Sequence, residues 1–152
     1  RMASDLSDLY QEIIMDHRRR PRNMGRPEHV NRSAEGFNPF CGDRFTVYLS
    51  VNDDMISGIG CDGQGCAIST ASASMLTEAL TAKPTAEALR LFESFHTMLV
   101  GTADSDVDLE ELGDLEALAG VREFPVRIKC AVLSWHTLKA ALEQSQEGVT
   151  TE

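Results

Sequence analysis

Cys41, Cys66 and Cys130 stand far apart in the chain, and the first has a carboxylate, Asp43, two positions on. Residues two apart in an extended segment point to one side, so the thiol and the carboxylate can reach one common atom. Gly42 between them lets the backbone bend without a side-chain clash. Cys66 follows "DGQG" at the start of a predicted helix, where free N–H groups and the helix dipole favour a thiolate. Cys130 lies in the first turns of the last predicted helix, next to Lys129 and three residues after Arg127, and such cations lower a thiol pKa. Three sulfurs and one oxygen on separate turns or helix starts form a four-coordinate set that zinc accepts. Ferrous iron and iron–sulfur clusters also prefer thiolates, so the spacing leaves the metal open. It is not a compact CxxC…CxxC pattern, and the plain reading of 41–43 is a buried cysteine beside a turn aspartate.

The remaining cysteine, Cys61, falls near the end of a predicted strand and is expected to be a buried apolar residue; the alternatives are a resolving thiol or a disulfide partner. His96 and His136 sit on predicted helices as packing or surface residues. His17 borders the arginine block and could assist a partner contact. The stretch "DSDVDLEELGDL" opens like a calcium loop, but Leu109 replaces the required glycine and Leu115 the required glutamate, so that reading is rejected. No phosphate-binding glycine loop and no GxSxG nucleophile turn occurs.

These residues need elements to position them. "SDLSDLYQEIIMDHRRRPRN" reads as an amphipathic helix ended by Pro21, and a polar loop, "NMGRPEHVNRSAEG", follows. "DRFTVYLSV" alternates Phe45, Val47, Leu49 and Val51 on one face, and "MISGIGCDG" returns beside it after the turn residues "NDD". "CAISTASASMLTEALTA" is rich in small residues, which suggests a helix packed closely against other backbone. "TAEALRLFESFHTMLV" is a further helix that Gly101 should terminate. The acidic stretch after it contains a short helical pattern, and "VRIKCAVLSWHTLKAALEQ" is a long amphipathic helix with Pro125 at its first position. Strands come early and helices late without βαβ alternation, so the class is α+β: a small antiparallel sheet with helices on one face.

A chain of 152 residues, 42% hydrophobic and 25% charged, suits one soluble domain, 1–152, with residues 1–3 and 145–152 expected to be flexible ends. A net charge of −10 disfavours nucleic acid as a partner, because phosphate contacts dominate such affinity. The absence of a bilayer-length apolar run argues against a membrane, and the cytoplasm is the expected compartment. "HRRRPRN" concentrates positive charge and "ADSDVDLEELGDLE" carries seven carboxylates; both are read first as solvated faces.

Taken in order, "LYQEIIMDHRRRPRN", "NPFCGDRFTVYL", "GQGCAISTASASMLTEAL" and "LGDLEALAGVREFPVRIKCAVLSWHTLKAAL" resemble the U-type iron–sulfur cluster assembly proteins, SufU and IscU. The resemblance covers nearly the whole chain and lies closer to the SufU branch. Lys129 stands where IscU proteins carry histidine, "FPVRIK" stands in place of their "LPPVK" motif, and the 103–120 region looks like a segment that SufU proteins insert. The resemblance implies an α+β fold with about three antiparallel strands, and Cys41, Asp43, Cys66 and Cys130 as metal ligands. It also implies zinc, with iron or a [2Fe–2S] cluster as the alternative. The implied function is that of a sulfurtransferase-type carrier, taking persulfide sulfur at Cys41 from a pyridoxal-phosphate-dependent cysteine desulfurase of the SufS type. Downstream Suf scaffold proteins would follow, and Arg127 would contact the partner or the sulfur anion. A scaffold on which a [2Fe–2S] cluster is assembled is the second implication.

Overall fold

The computed structural model describes residues 2–101, 107–143 and 149–150. Helix α1 covers Met2–Arg19, and three strands follow: β1 Arg32–Asn38, β2 Asp43–Asn52 and β3 Met55–Gln64. Helices α2 Ala67–Leu80 and α3 Thr85–Val100 come next, then a single turn, α4 Leu109–Leu112, and a run of 3₁₀ turns, Gly113–Glu123. Helix α5 Pro125–Leu142 and a two-residue strand, β4 Val149–Thr150, complete the order. Residue 1, residues 145–148 and 151–152 of the expected loose ends, and residues 102–106 of the acidic stretch, lie outside the described residues.

The strands lie in the order β3-β2-β1-β4, antiparallel except that β4 pairs parallel to β1. The expected pair of strands is therefore present as the β2–β3 hairpin, closed by Asp53 and Asp54 at φ +53° and +60°. Left-handed geometry at both turn residues matches the twist of the strands, and aspartate tolerates it. Strand β1 corrects the sequence reading, which placed most of its residues in a polar loop. Its inward positions are Ala34, Gly36 and Asn38, and Gly36 backs directly onto Leu133 and Thr137 of α5. Such small or polar inward residues carry no apolar alternation, because the helix lies too close to admit large side chains.

Phe45, Val47 and Leu49 of β2 are buried beneath α5, and Asp43 occupies the next inward position of the same alternation. Helix α2 is buried on nearly all sides, as its small residues suggest. Its Ser72 Oγ donates to the Ala131 carbonyl of α5 at 2.6 Å and accepts from Trp135 Nε1 at 3.2 Å. Trp135 stacks on Phe95 of α3 at 4.8 Å. Gly101 ends α3, its N–H bonded to the Thr97 carbonyl at 2.7 Å. Among the described residues, no helix is long and apolar enough to cross a membrane.

Candidate metal centre

Strands β1 and β2 are joined by Pro39–Gly42, so Cys41 rides the tip of a short hairpin. Gly42 makes that turn possible: it adopts φ +72°, which L side chains resist, and its N–H closes onto the Asn38 carbonyl at 2.9 Å. Cys41 is exposed, whereas Asp43 is fully buried because its position faces the core. Cys66 caps α2, its Sγ accepting from Ser69 N at 3.5 Å. Cys130, 1% exposed, sits in the second turn of α5 with its sulfur 3.2 Å from that of Cys41.

The donor atoms of Cys41, Asp43 and Cys130 all lie within 4.8 Å of one another. Cys66 does not share that tight set. It joins the corner through its backbone N–H, which donates to Asp43 Oδ1 at 2.8 Å, and its thiol lies close enough to Cys130 to affect its ionisation. Arg127 is exposed on the first turn of α5 and makes no ion pair among the described residues. Lys129 places its ammonium 4.1 Å from the ring centre of Phe40, which is 63% exposed beside Cys41. This cation–π contact links the hairpin tip to α5.

Three further residues build the corner and were missed in the sequence. Asn38, the register partner of Asp43, donates to Asp43 Oδ2 at 3.1 Å and approaches Cys130 Sγ at 3.5 Å. Ser69 donates to Asp43 Oδ1 at 3.0 Å. Gly65 leaves the room for both: a Cβ there would collide with Ser69 Oγ and come 2.6 Å from Asp43 Oδ1. The glycine after Gln64 was the one available signal, and what it provides is room for the carboxylate. Gly65→Ala is expected to destabilise the metal-free protein by about 1–3 kcal/mol and to weaken metal binding, whereas Gly120, with open space around it, tolerates alanine. Denaturant midpoints of the two variants check this; equal midpoints would show that the 65–69 turn yields freely.

The corner has the chemistry of a cation site. A buried carboxylate costs several kcal/mol unless matched by positive charge, and among the described residues Asp43 pairs with no cationic side chain. Oδ1 takes two hydrogen bonds and Oδ2 only that of Asn38, which leaves a lone pair. Burial, reinforced by the neighbouring Cys41, Asp43 and Cys66 groups, pushes the Cys130 thiol far up, so without a metal that thiol holds its proton. A divalent ion would take the place of that proton. Sulfur with one oxygen suits zinc or ferrous iron and not magnesium or calcium.

Other sequence-selected residues fall outside the corner. Cys61 is fully buried in the core, where burial pushes its thiol up to about 12, so it behaves as an apolar residue. His136 packs edge-on against Phe92 at 5.2 Å and His96 stacks on the same ring at 5.8 Å. His17 is a correction: it is 3% exposed, with Nδ1 2.7 Å from Ser74 Oγ, and cannot serve as a surface contact. Arg20 and Arg22 both pair with Asp16 at 2.6 Å, so part of the basic block is satisfied internally.

A sheet of three antiparallel strands and a two-residue parallel fourth, backed by helices, with thiols and a carboxylate converging where a hairpin tip meets two helix N-termini, defines a class of small α+β domains. This chain belongs to the NifU-like N-terminal domain family, whose pattern matches residues 9–131. A Bacillus subtilis protein named zinc-dependent sulfurtransferase SufU is 40% identical over 148 residues, 95% of this chain and 97% of its own. An iron–sulfur cluster assembly scaffold protein IscU of Streptococcus pyogenes is 41% identical over 142 residues, 93% of this chain and 87% of its own. The crystal structure of a protein described as an iron–sulfur cluster assembly scaffold for the SUF system, from Fervidobacterium islandicum, superposes with a TM-score of 0.81. That protein is 34% identical, with 86% of this chain and 94% of its own covered. The resemblance to the SufU and IscU proteins, and the α+β fold it implies, are borne out.

Proposed function

We propose that this protein acts in iron–sulfur cluster assembly as a zinc-dependent sulfur acceptor, with Cys41, Asp43, Cys66 and Cys130 as the zinc ligands. One observation carries the reading: Cys41 is an exposed residue at a hairpin tip, while Asp43 and Cys130 beside it are buried. The buried pair is held rigidly, and the exposed thiol is the one a partner can reach. When bound, zinc would keep these thiols deprotonated at neutral pH. The partner is a pyridoxal-phosphate-dependent cysteine desulfurase of the SufS type, carrying a cysteine persulfide. The Cys41 thiolate attacks the outer sulfur, the persulfide S–S bond breaks, and the desulfurase cysteine leaves as a thiolate. Cys41 then carries the persulfide onward to scaffold proteins of the same system. Phe40 and Lys129 hold the tip in place, and the exposed Arg127 guanidinium is available to the partner or to the sulfur anion.

Cys41→Ala should abolish both the stimulation of desulfurase turnover and the labelling of this chain with sulfur from radiolabelled cysteine. A Cys41→Ala protein that still stimulates and still acquires sulfur would end the proposal. Near-equal identity to relatives named for sulfur transfer and for scaffolding supports a second reading, assembly of a [2Fe–2S] cluster on the same ligands. Metal analysis of freshly purified protein separates them: stoichiometric colourless zinc fits the acceptor, and coloured protein with iron and acid-labile sulfide fits the scaffold.

A further inference from the structure

We propose that His17, Glu78 and Asp114 form a second divalent-cation site, of imidazole and carboxylate chemistry, independent of the thiolate corner. Their donor atoms lie within 4.8 Å of one another, on α1, α2 and the 3₁₀ segment. Glu78 stands about 18 Å along α2 from Cys66 at 1.5 Å per residue, so the two sites share no ligand.

His17 has the attributes of a ligand. One ring nitrogen, Nδ1, is tied to Ser74 Oγ at 2.7 Å, and Ser74 Oγ also accepts from the Arg22 N–H at 2.8 Å. Imidazoles that bind metals are commonly oriented in this way, one nitrogen held by the fold and the other left for the ion. Nε2 has no hydrogen bond among the described residues; Glu78 Oε1, at 3.9 Å, is beyond hydrogen-bond range. Burial, with help from the Arg22 guanidinium, lowers the pKa of His17, so the ring is neutral at pH 7 and can offer a lone pair.

The surroundings favour a cation. The three residues line a cavity of about 310 Å³ whose wall also carries Glu87 and Glu111, the latter paired with Arg90 Nε at 3.1 Å, against the single ammonium of Lys83. Arg22 approaches Glu78 only through its other oxygen, Oε2, at 3.6 Å, and is itself matched by Asp16 at 2.6 Å. Glu78 and Asp114 are exposed and free to swing inward. Tetrahedral zinc would set the three donors roughly 3.3 Å apart, a small inward movement from their present positions. One imidazole and two carboxylates suit zinc and related first-row ions, and a fourth position would face the cavity. Such an ion would tie α1 and α2 to the 113–123 segment, which leads directly into α5 and Cys130.

Titration of the zinc-free full chain with Co²⁺ tests this, because thiolate ligation gives sulfur-to-metal charge-transfer bands and oxygen–nitrogen ligation does not. Two equivalents are expected, the first with charge-transfer absorption and the second without. Glu78→Gln and Asp114→Asn, both at exposed positions, should weaken the second about tenfold or more and leave the first intact. Cys130→Ser should do the reverse, so failure of one site is distinguishable from failure of the other. Binding of a single equivalent by the wild-type chain would overturn the proposal. So would a second equivalent held as tightly by the Glu78→Gln/Asp114→Asn double variant as by wild type.

Discussion

Cys130→Ala is expected to lower zinc affinity at least about a thousandfold. Cys130 is the most enclosed sulfur of the corner: it meets the Cys41 sulfur at 3.2 Å and the Asn38 amide at 3.5 Å, and it is 1% exposed. Metal-free stability should change little by comparison, by about 1 kcal/mol, since only one small buried atom is lost. Competition against a chelator of known affinity measures the first quantity, and denaturant unfolding in excess chelator the second. Cys61→Ala is the matched control, because that equally buried thiol faces the core and should leave zinc affinity unchanged. If Cys130→Ala held zinc within tenfold of wild type, the corner would not be the zinc site.

Removal of zinc is expected to lower the thermal midpoint by about 10 °C. A ligand that binds only the folded state stabilises it by about 4 kcal/mol at a thousandfold excess over its dissociation constant. In a domain of this size each kcal/mol corresponds to about 2–4 °C. The physical source is Asp43, whose buried carboxylate loses its matching charge, together with the crowded sulfurs of Cys41 and Cys130. Melting curves with and without chelator, recorded in the Glu78→Gln/Asp114→Asn background, confine the effect to the thiolate corner. Superimposable curves would mean that the corner folds indifferently to metal.

Much of the architecture was legible along the chain wherever one side of an element is apolar and the other is not. The alternation Phe45, Val47, Leu49, Val51 marked β2, the "NDD" turn marked the hairpin, and Gly101 and Pro125 marked helix ends. Strand β1 was hidden because its inward residues are small or polar, shaped by the nearness of α5. His17 looked like part of a charged surface because three arginines follow it. Its burial depends on Ser74, a residue 57 positions away.

The types of donor, and the helix starts and turn that present them, were determined by the sequence alone, since thiol chemistry, capping and periodicity are local properties. Only the tertiary structure decided which donors meet, because Cys41 and Cys130 are 89 residues apart and close on each other through the packing of α5 on the sheet. The same packing set Asn38 opposite Asp43 and cleared space at Gly65, and it left Cys66 joined to the corner first through its backbone N–H. Contacts of this kind depend on side chains brought together by burial, and no spacing along a single chain encodes them.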